Sequence, residues 1–227
     1  MFKSMKTGVV ALILVGTAFI ARAQKTLDQG AITYGMKYEL STEQKHAIDE
    51  SMLPEERTVR FSGNISMVEM NMGPAMIKIL SDGLQRNSLF LVDIPVIQKQ
   101  YAAKLSKAEV DAQMGNIVYT DLVKTGEKQT ISGYNTEKYT YKDNTGNAHE
   151  LWATNDIKLS AGAVPYGLEA LKGATPIKYS AFQNGVKMVV TVKNIKEEKA
   201  GPYSLEVPKG YEEKTLAELQ AMQGGGQ

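Results

Sequence analysis

The strongest constraint on the fold of this chain is a period of two. Ile32, Tyr34, Met36, Tyr38 and Leu40 alternate with Thr33, Gly35, Lys37 and Glu39. In an extended chain successive side chains point to opposite faces, so this run lays its large apolar groups on one side and its small or charged groups on the other. The pattern returns where Val186, Met188, Val190 and Val192 alternate with Lys187, Thr191 and Lys193. Between these two runs the segments 57–63, 65–72, 75–81, 88–93, 97–105, 117–124, 127–132, 135–142, 149–154 and 177–183 also read as strands. Their separators are turn-formers: Gly73-Pro74, Asp82-Gly83, Gly126, Gly133, Asn144-Thr145-Gly146 and Asn184-Gly185. Asn-Gly between two alternating runs is a strong hairpin signal, because both residues accept a positive φ. So many short strands on short links predict a mainly β (α+β) domain: a curved antiparallel sheet or half-open β-barrel with a few covering helices.

Those helices have their own signals. Ser41-Thr42-Glu43-Gln44 opens like a capping box before a polar segment ended by Pro54, and Ser106-Lys107-Ala108-Glu109 repeats the device before a helix reaching about Met114. Residues 165–171, stopped by Gly173, read as a short helix. Thr215 with Glu218 three residues on starts a short amphipathic helix, followed by a flexible tail at Gly224, Gly225 and Gly226. The chain therefore divides into residues 1–23, a single β-rich domain over 24–213, and a helix and tail over 214–227.

The first of these segments reads as a signal peptide. Lys3 and Lys6 precede an apolar run from Val9 to Ile20, and Ala21-Arg22-Ala23 supplies small residues for cleavage before Gln24. The run is about a dozen residues, whereas crossing a bilayer takes about 20, so a cleaved leader fits better than an anchor. The expected address is the periplasm or the exterior. With no cysteine in the chain there is no acceptor for lipid at the mature N-terminus, and no disulfide can staple the fold. About 200 residues must then be held by a hydrophobic core alone. Losing Lys3, Lys6 and Arg22 takes the formal charge from +1 to −2. That near-neutral surface lacks the clustered cations from which nucleic-acid binding draws its affinity.

Catalytic patterns are missing. His149-Glu150-Leu151-Trp152-Ala153 begins like a zinc-protease motif but has Ala153 where the second histidine must stand, and it lies in a strand. The other histidine, His46, sits in a polar segment. No nucleophile elbow, phosphate loop or dinucleotide fingerprint is present. The acidic pairs Asp49-Glu50, Glu55-Glu56 and Glu197-Glu198 read as solvated faces. The expectation is a protein without catalytic residues, metal or cofactor.

Binding residues are sought instead among the soft and aromatic side chains. Met67, Met70, Met72 and Met76 lie within ten residues, and thioethers can hold Cu(I). On a strand, however, Met70 and Met72 face one side and Met67 the other, so spacing does not converge three sulfurs. The alternative is that methionines fill an irregular core or an adaptable apolar cavity. Trp152, the sole tryptophan, faces opposite to Leu151 and Ala153, where it plugs the core or lines a ligand cavity.

The order of these elements carries a resemblance. The first alternating strand, the meander, Ile131-Ser132-Gly133-Tyr134 leading to Lys138-Tyr139, Leu151-Trp152-Ala153-Thr154, a short helix, a closing hairpin and Val207-Pro208-Lys209-Gly210-Tyr211 resemble an uncharacterised family of exported Gram-negative proteins. That family is similar in fold to the periplasmic lipoprotein carriers, half-open barrels around an apolar cavity under covering helices. The resemblance implies no catalytic residues. It implies a lipid or other apolar ligand held on the concave side, with Met67, Met70, Met72, Trp152 and Met188 as candidates to line the cavity. The alternative function is a structural or protein-interaction module of the cell envelope with an envelope protein as partner and no small-molecule ligand.

Overall fold

The computed structural model describes residues 24–48, 50, 53–114, 118–171, 173–183 and 186–224. The proposed leader, the Asn184-Gly185 turn and glycines 225 and 226 lie outside them. Two runs of strands make up most of the molecule. The first comprises β1 (Lys25–Leu27), β2 (Gln29–Glu39), β3 (Glu56–Ser62), β4 (Ile65–Met72), β5 (Ala75–Asp82), β6 (Ser88–Ile94) and β7 (Lys99–Leu105). The second comprises β8 (Tyr119–Ile131), β9 (Tyr134–Asp143), β10 (Ala148–Thr154), β11 (Ile157–Leu159), β12 (Thr175–Gln183) and β13 (Val186–Lys196), with β14 (Glu212–Glu213) near the end. Helices α1 (Thr42–Ala47), α2 (Lys107–Gln113) and α3 (Leu216–Gly224) punctuate them.

Twelve strands form one sheet in the order β14-β7-β6-β5-β4-β3-β2-β13-β12-β10-β9-β8, antiparallel throughout except where β14 joins β7. It is a mainly β fold with an open sheet, not closed into a barrel. The expected meander is thus two meanders, β2–β7 and β8–β13, joined where β13 pairs with β2. β11 steps out of the second to pair in parallel with β1. The turns obey the local chemistry: Ser132 and Gly133 have φ of +51° and +82°, the two positive values that a I′ hairpin between β8 and β9 demands.

The sheet is strongly curved. β6 and β8 stand nine strand spacings apart, about 43 Å if the sheet were flat. Yet Arg86, in the β5–β6 turn, lies over the Tyr166 ring at 4.3 Å, and the next residue, Gly167, packs against the Tyr119 ring of β8. The described residues of 157–174 therefore run along the concave side and reach from the β5–β6 turn to β8. The Tyr166 hydroxyl donates to Asp111 Oδ1 of α2 at 2.7 Å, fixing this inner segment at one end.

Alternation builds the core on that concave face. At its centre Ile32, Tyr34, Phe61, Ile177, Met188 and Val192 pack beneath Leu27, Leu159 and Ala163. On the β8–β10 side Tyr139, Tyr141 and Leu151 meet Leu168, Leu171 and Ala174 of the inner segment. On the β4–β7 side Ile77, Val92, Ala103 and Leu105 meet Val110 of α2 and Leu216 and Leu219 of α3. Here the convex face is buried as well, with Leu80, Leu89, Leu91 and Ala102 beneath Tyr203, Leu205, Val207 and Tyr211.

Both expected capping boxes form. Ser41 and Ser106 accept from the backbone of Gln44 and Glu109 while those side chains reach back to the cap nitrogens. Thr215 and Glu218 do the same ahead of α3. The helix that begins at Thr42 ends at Ala47, well short of Pro54, because it buries no residue against which a longer helix could be propagated. The helix expected over 165–171 is instead a turn followed by one 3-10 turn at Glu169–Leu171: Gly167 sits at φ +83° in its middle, outside the right-handed helical region. The strands expected at 117–124 and 127–132 are one strand, β8, in which Asp121 (φ +54°) and Gly126 (φ +84°) are absorbed as register shifts against β9. Residues 95–98 precede β7 as a 3-10 turn ending in a left-handed Gln98. Gly224 closes α3 instead of opening a tail.

Candidate functional site: a slot between β10 and β12

Among the described residues, 148–150 pair with β9 and 180–183 with β13, and the ladder between β10 and β12 runs from Leu151 and Tyr179 to Thr154 and Thr175. Between these stretches lies an open recess of about 400 Å³, lined by Asn147, Ala148, His149, Glu150, Ser180 and Lys187.

The β10 wall is braced from its own turn. Asp143 ends β9, and its carboxylate accepts from the Thr145 hydroxyl (2.6 Å), the backbone nitrogens of Thr145 (2.9 Å) and Asn147 (3.0 Å), and His149 Nε2 (2.8 Å). These donors, the Thr145 hydroxyl first and the His149 ring next, hold the Asp143 carboxyl far below the usual carboxylate range. The His149 ring stacks on Tyr141 at 5.3 Å, and Tyr119 meets Tyr141 edge-on at 4.8 Å. Burial pushes both phenols up, so they remain neutral and serve as packing. The hollow beneath Tyr119, Tyr141 and Leu168 is only about 10 Å³, barely the room one water needs, so the concave face here is packed shut.

On the convex face the charged side chains beside the slot are tied back from it. Glu150 pairs with Lys138 of β9 at 2.9 Å, and Lys187 pairs with Glu39 of β2 at 2.8 Å. Each partner lies on the strand away from the gap. Glu150 and Lys187 remain part of the recess lining, beside Asn147, Ala148, His149 and Ser180.

The cavity candidates from the sequence are not brought together. Met67 packs on the convex face beside Leu80 and Leu89, under the 203–211 segment, whereas Met70 packs on the concave face under α2 and α3. The opposition expected from alternation holds for this pair, and it keeps the two sulfurs on different sides of the sheet. Met188 is 4% exposed in the central core, and the Met72 side chain lies outside the described set. Trp152 is half-buried on the convex face between Lys138 and Lys178 of the neighbouring strands, so it lies outside the concave core and does not plug it. Among the described residues no three His, Asp or Glu side chains group as metal ligands, and no helix is long and apolar enough to cross a membrane.

Glu150 entered the sequence reading only in the failed zinc-protease pattern, Lys187 only as a polar member of an alternating strand, and Ser180 not at all, since a recess between strands depends on tertiary pairing. The nearest sequence signal is the spacing Asp143, Thr145, Asn147, His149, whose side chains converge on one turn. No protein-family model and no curated protein matches the chain.

Proposed function

We propose that the protein is a non-enzymatic interaction module of the periplasm or cell exterior that acts by holding a polypeptide partner. The observation that carries this reading is that the concave face is filled by the protein's own chain, from Leu168 and Leu171 through Leu159 and Ala163 to Leu216 and Leu219. Apolar surface already buried internally has nothing further to gain from an apolar ligand. The basic, apolar and small-residue succession before Gln24 supports export.

A second reading, an apolar-ligand carrier, is favoured by one feature. The curved sheet wraps a covering segment, residues 157–174, much as a half-barrel carrier wraps its cargo, in keeping with the family resemblance. On that reading the segment must give way to a lipid or acyl chain.

Native mass spectrometry after mild extraction, beside affinity capture from envelope fractions, separates the two. A stoichiometric protein partner and an empty protein mass are expected. A co-purified lipid with no protein partner overturns the interaction reading in favour of the carrier.

A further inference from the structure

We infer that Arg57, with the Tyr34 and Tyr179 hydroxyls, forms a binding site for a carboxylate on the concave face. The inference deepens the interaction reading and rests on it for the source of the carboxylate, an acidic side chain or chain terminus of the polypeptide partner. Arg57 stands directly across from Tyr34 in the β2–β3 ladder, and Val59 and Phe61 follow it at two-residue steps. All four side chains therefore rise from the concave face, where Tyr34, Val59 and Phe61 belong to the central core. Alternation has placed a cation where its neighbours are apolar or aromatic.

That cation has no answering acid. Among the described residues Arg60 pairs with Glu198 and Arg86 with Asp111, whereas Arg57 has no carboxylate within ion-pair distance. The adjacent Glu56 projects from the opposite face and pairs with Lys193. Arg57 is half-buried. A guanidinium drawn out of water without a partner loses hydration and gains no ion pair in return, so stability does not account for a charge here.

The phenols around it add donors. Met36, Val190 and Tyr179 lie in one row across β2, β13 and β12, which brings Tyr179 over the core beside Tyr34. Burial raises the Tyr179 hydroxyl well above its ordinary value; Tyr34 adds to the rise and Arg57 opposes it. Burial also raises Tyr38, and Arg57 again opposes it. The guanidinium therefore acts on phenols on both sides of the row. The Tyr38 hydroxyl is committed to the Pro54 carbonyl at 3.1 Å, while those of Tyr34 and Tyr179 have no hydrogen-bond partner among the described residues. Burial keeps both protonated, so each offers a hydrogen. A set made of donors selects an anion. The guanidinium fork matches the two oxygens of a carboxylate, and each oxygen keeps a lone pair for a phenol. One cation offsets one charge, so a carboxylate fits better than a dianionic phosphate, which would leave charge unpaired beside Met36 and Val190.

The test is an NMR titration of the protein, its arginines labelled with nitrogen-15, with butyrate and with the neutral butyramide. The Arg57 Nε–H resonance, assigned by its loss in Arg57→Met, should shift with butyrate and stay fixed with butyramide, while those of Arg60 and Arg86 move little. Arg57→Lys keeps the charge but loses the fork, and should weaken butyrate binding about tenfold. Tyr179→Phe removes one donor and should weaken it about threefold. Arg57→Met should abolish binding and raise the urea midpoint, because an apolar side chain replaces an unpaired half-buried charge. Equal shifts with acid and amide, or equal shifts at all arginines, overturn the site. So does a midpoint that falls in Arg57→Met, which would make Arg57 a structural residue. Affinity capture from envelope fractions then tests the source: Arg57→Met should lose the partner. If Arg57→Met holds a partner at full stoichiometry, the site fails while the interaction reading stands. A co-purified fatty acid that Arg57→Met releases, without a protein partner, keeps the carboxylate site and overturns the interaction reading.

Discussion

The two arms of the sheet use the same alternation to different ends. The β4–β7 arm pairs without a register shift and is covered on both faces, by α2 and α3 within and by residues 203–211 without. The β8–β12 arm is covered on its concave face by the inner segment. Its ladder is broken twice between β8 and β9 and shifts again at Trp152. A face covered on both sides locks register, because a slip by one residue would expose the whole apolar set. An arm with one bare face can shift its register locally at smaller cost.

The largest test of this contrast is truncation within the core. Phe61→Ala, at the fully buried junction of the arms, should cost about 3–5 kcal/mol in urea unfolding. The matched pair is Leu89→Ala and Leu168→Ala. Leu89 is wholly buried inside the doubly covered arm, so its loss should lie near the upper end of the 2–5 kcal/mol range. Leu168, in a segment able to collapse onto the gap, should lie near the lower end. Equal losses would break the comparison.

Gly167→Ala probes the inner segment directly. Its φ is +83°, and an added Cβ would stand 2.7 Å from the Tyr119 ring, so about 1–3 kcal/mol of destabilisation is expected. Native-state hydrogen exchange should show the loss in β8–β10 before β4–β7.

A smaller effect is expected from pH. The Asp143 carboxyl is depressed in the folded protein, so its contribution is present above the unfolded value of about 3.9 and is lost as pH falls towards the folded value. Acid should therefore loosen the 143–149 turn, seen as faster exchange there. Asp143→Asn should be less stable at neutral pH and show a shallower acid limb; an unchanged limb would remove the carboxylate from its bracing role. The smallest test alters nothing in the chain. Trp152 is the sole tryptophan, half-buried between Lys138 and Lys178, so iodide should quench its fluorescence more effectively than caesium. Equal, weak quenching by both ions would place the indole inside.

Much of the fold was legible because its causes are local. β4 occupies residues 65–72 as expected, β2 and β13 follow their alternation, and the capping boxes at Ser41 and Ser106 form where their residues stand. The failures share one cause, which is tertiary. Gly126 looks like a strand end, yet pairing with β9 carries β8 through it. Residues 165–171 carry a helical spacing, yet Gly167 must turn left-handed to pass Tyr119. The three-residue strands β1 and β11 are too short to show a period and exist only because each finds the other.

The candidate site was less legible still. Alternation placed Met67 and Met70 on opposite faces and turned Trp152 away from Leu151. It could not tell whether the concave side held a ligand, a plug or the chain itself. The sequence by itself determined the strands, their faces and their caps, since those follow from period, turn chemistry and hydrogen-bonding reach within a few residues. Only the tertiary structure decided that the sheet curls over residues 157–174 and where β10 pairs with β12. Both depend on contacts between residues far apart in the chain, and no local pattern encodes where a ladder stops.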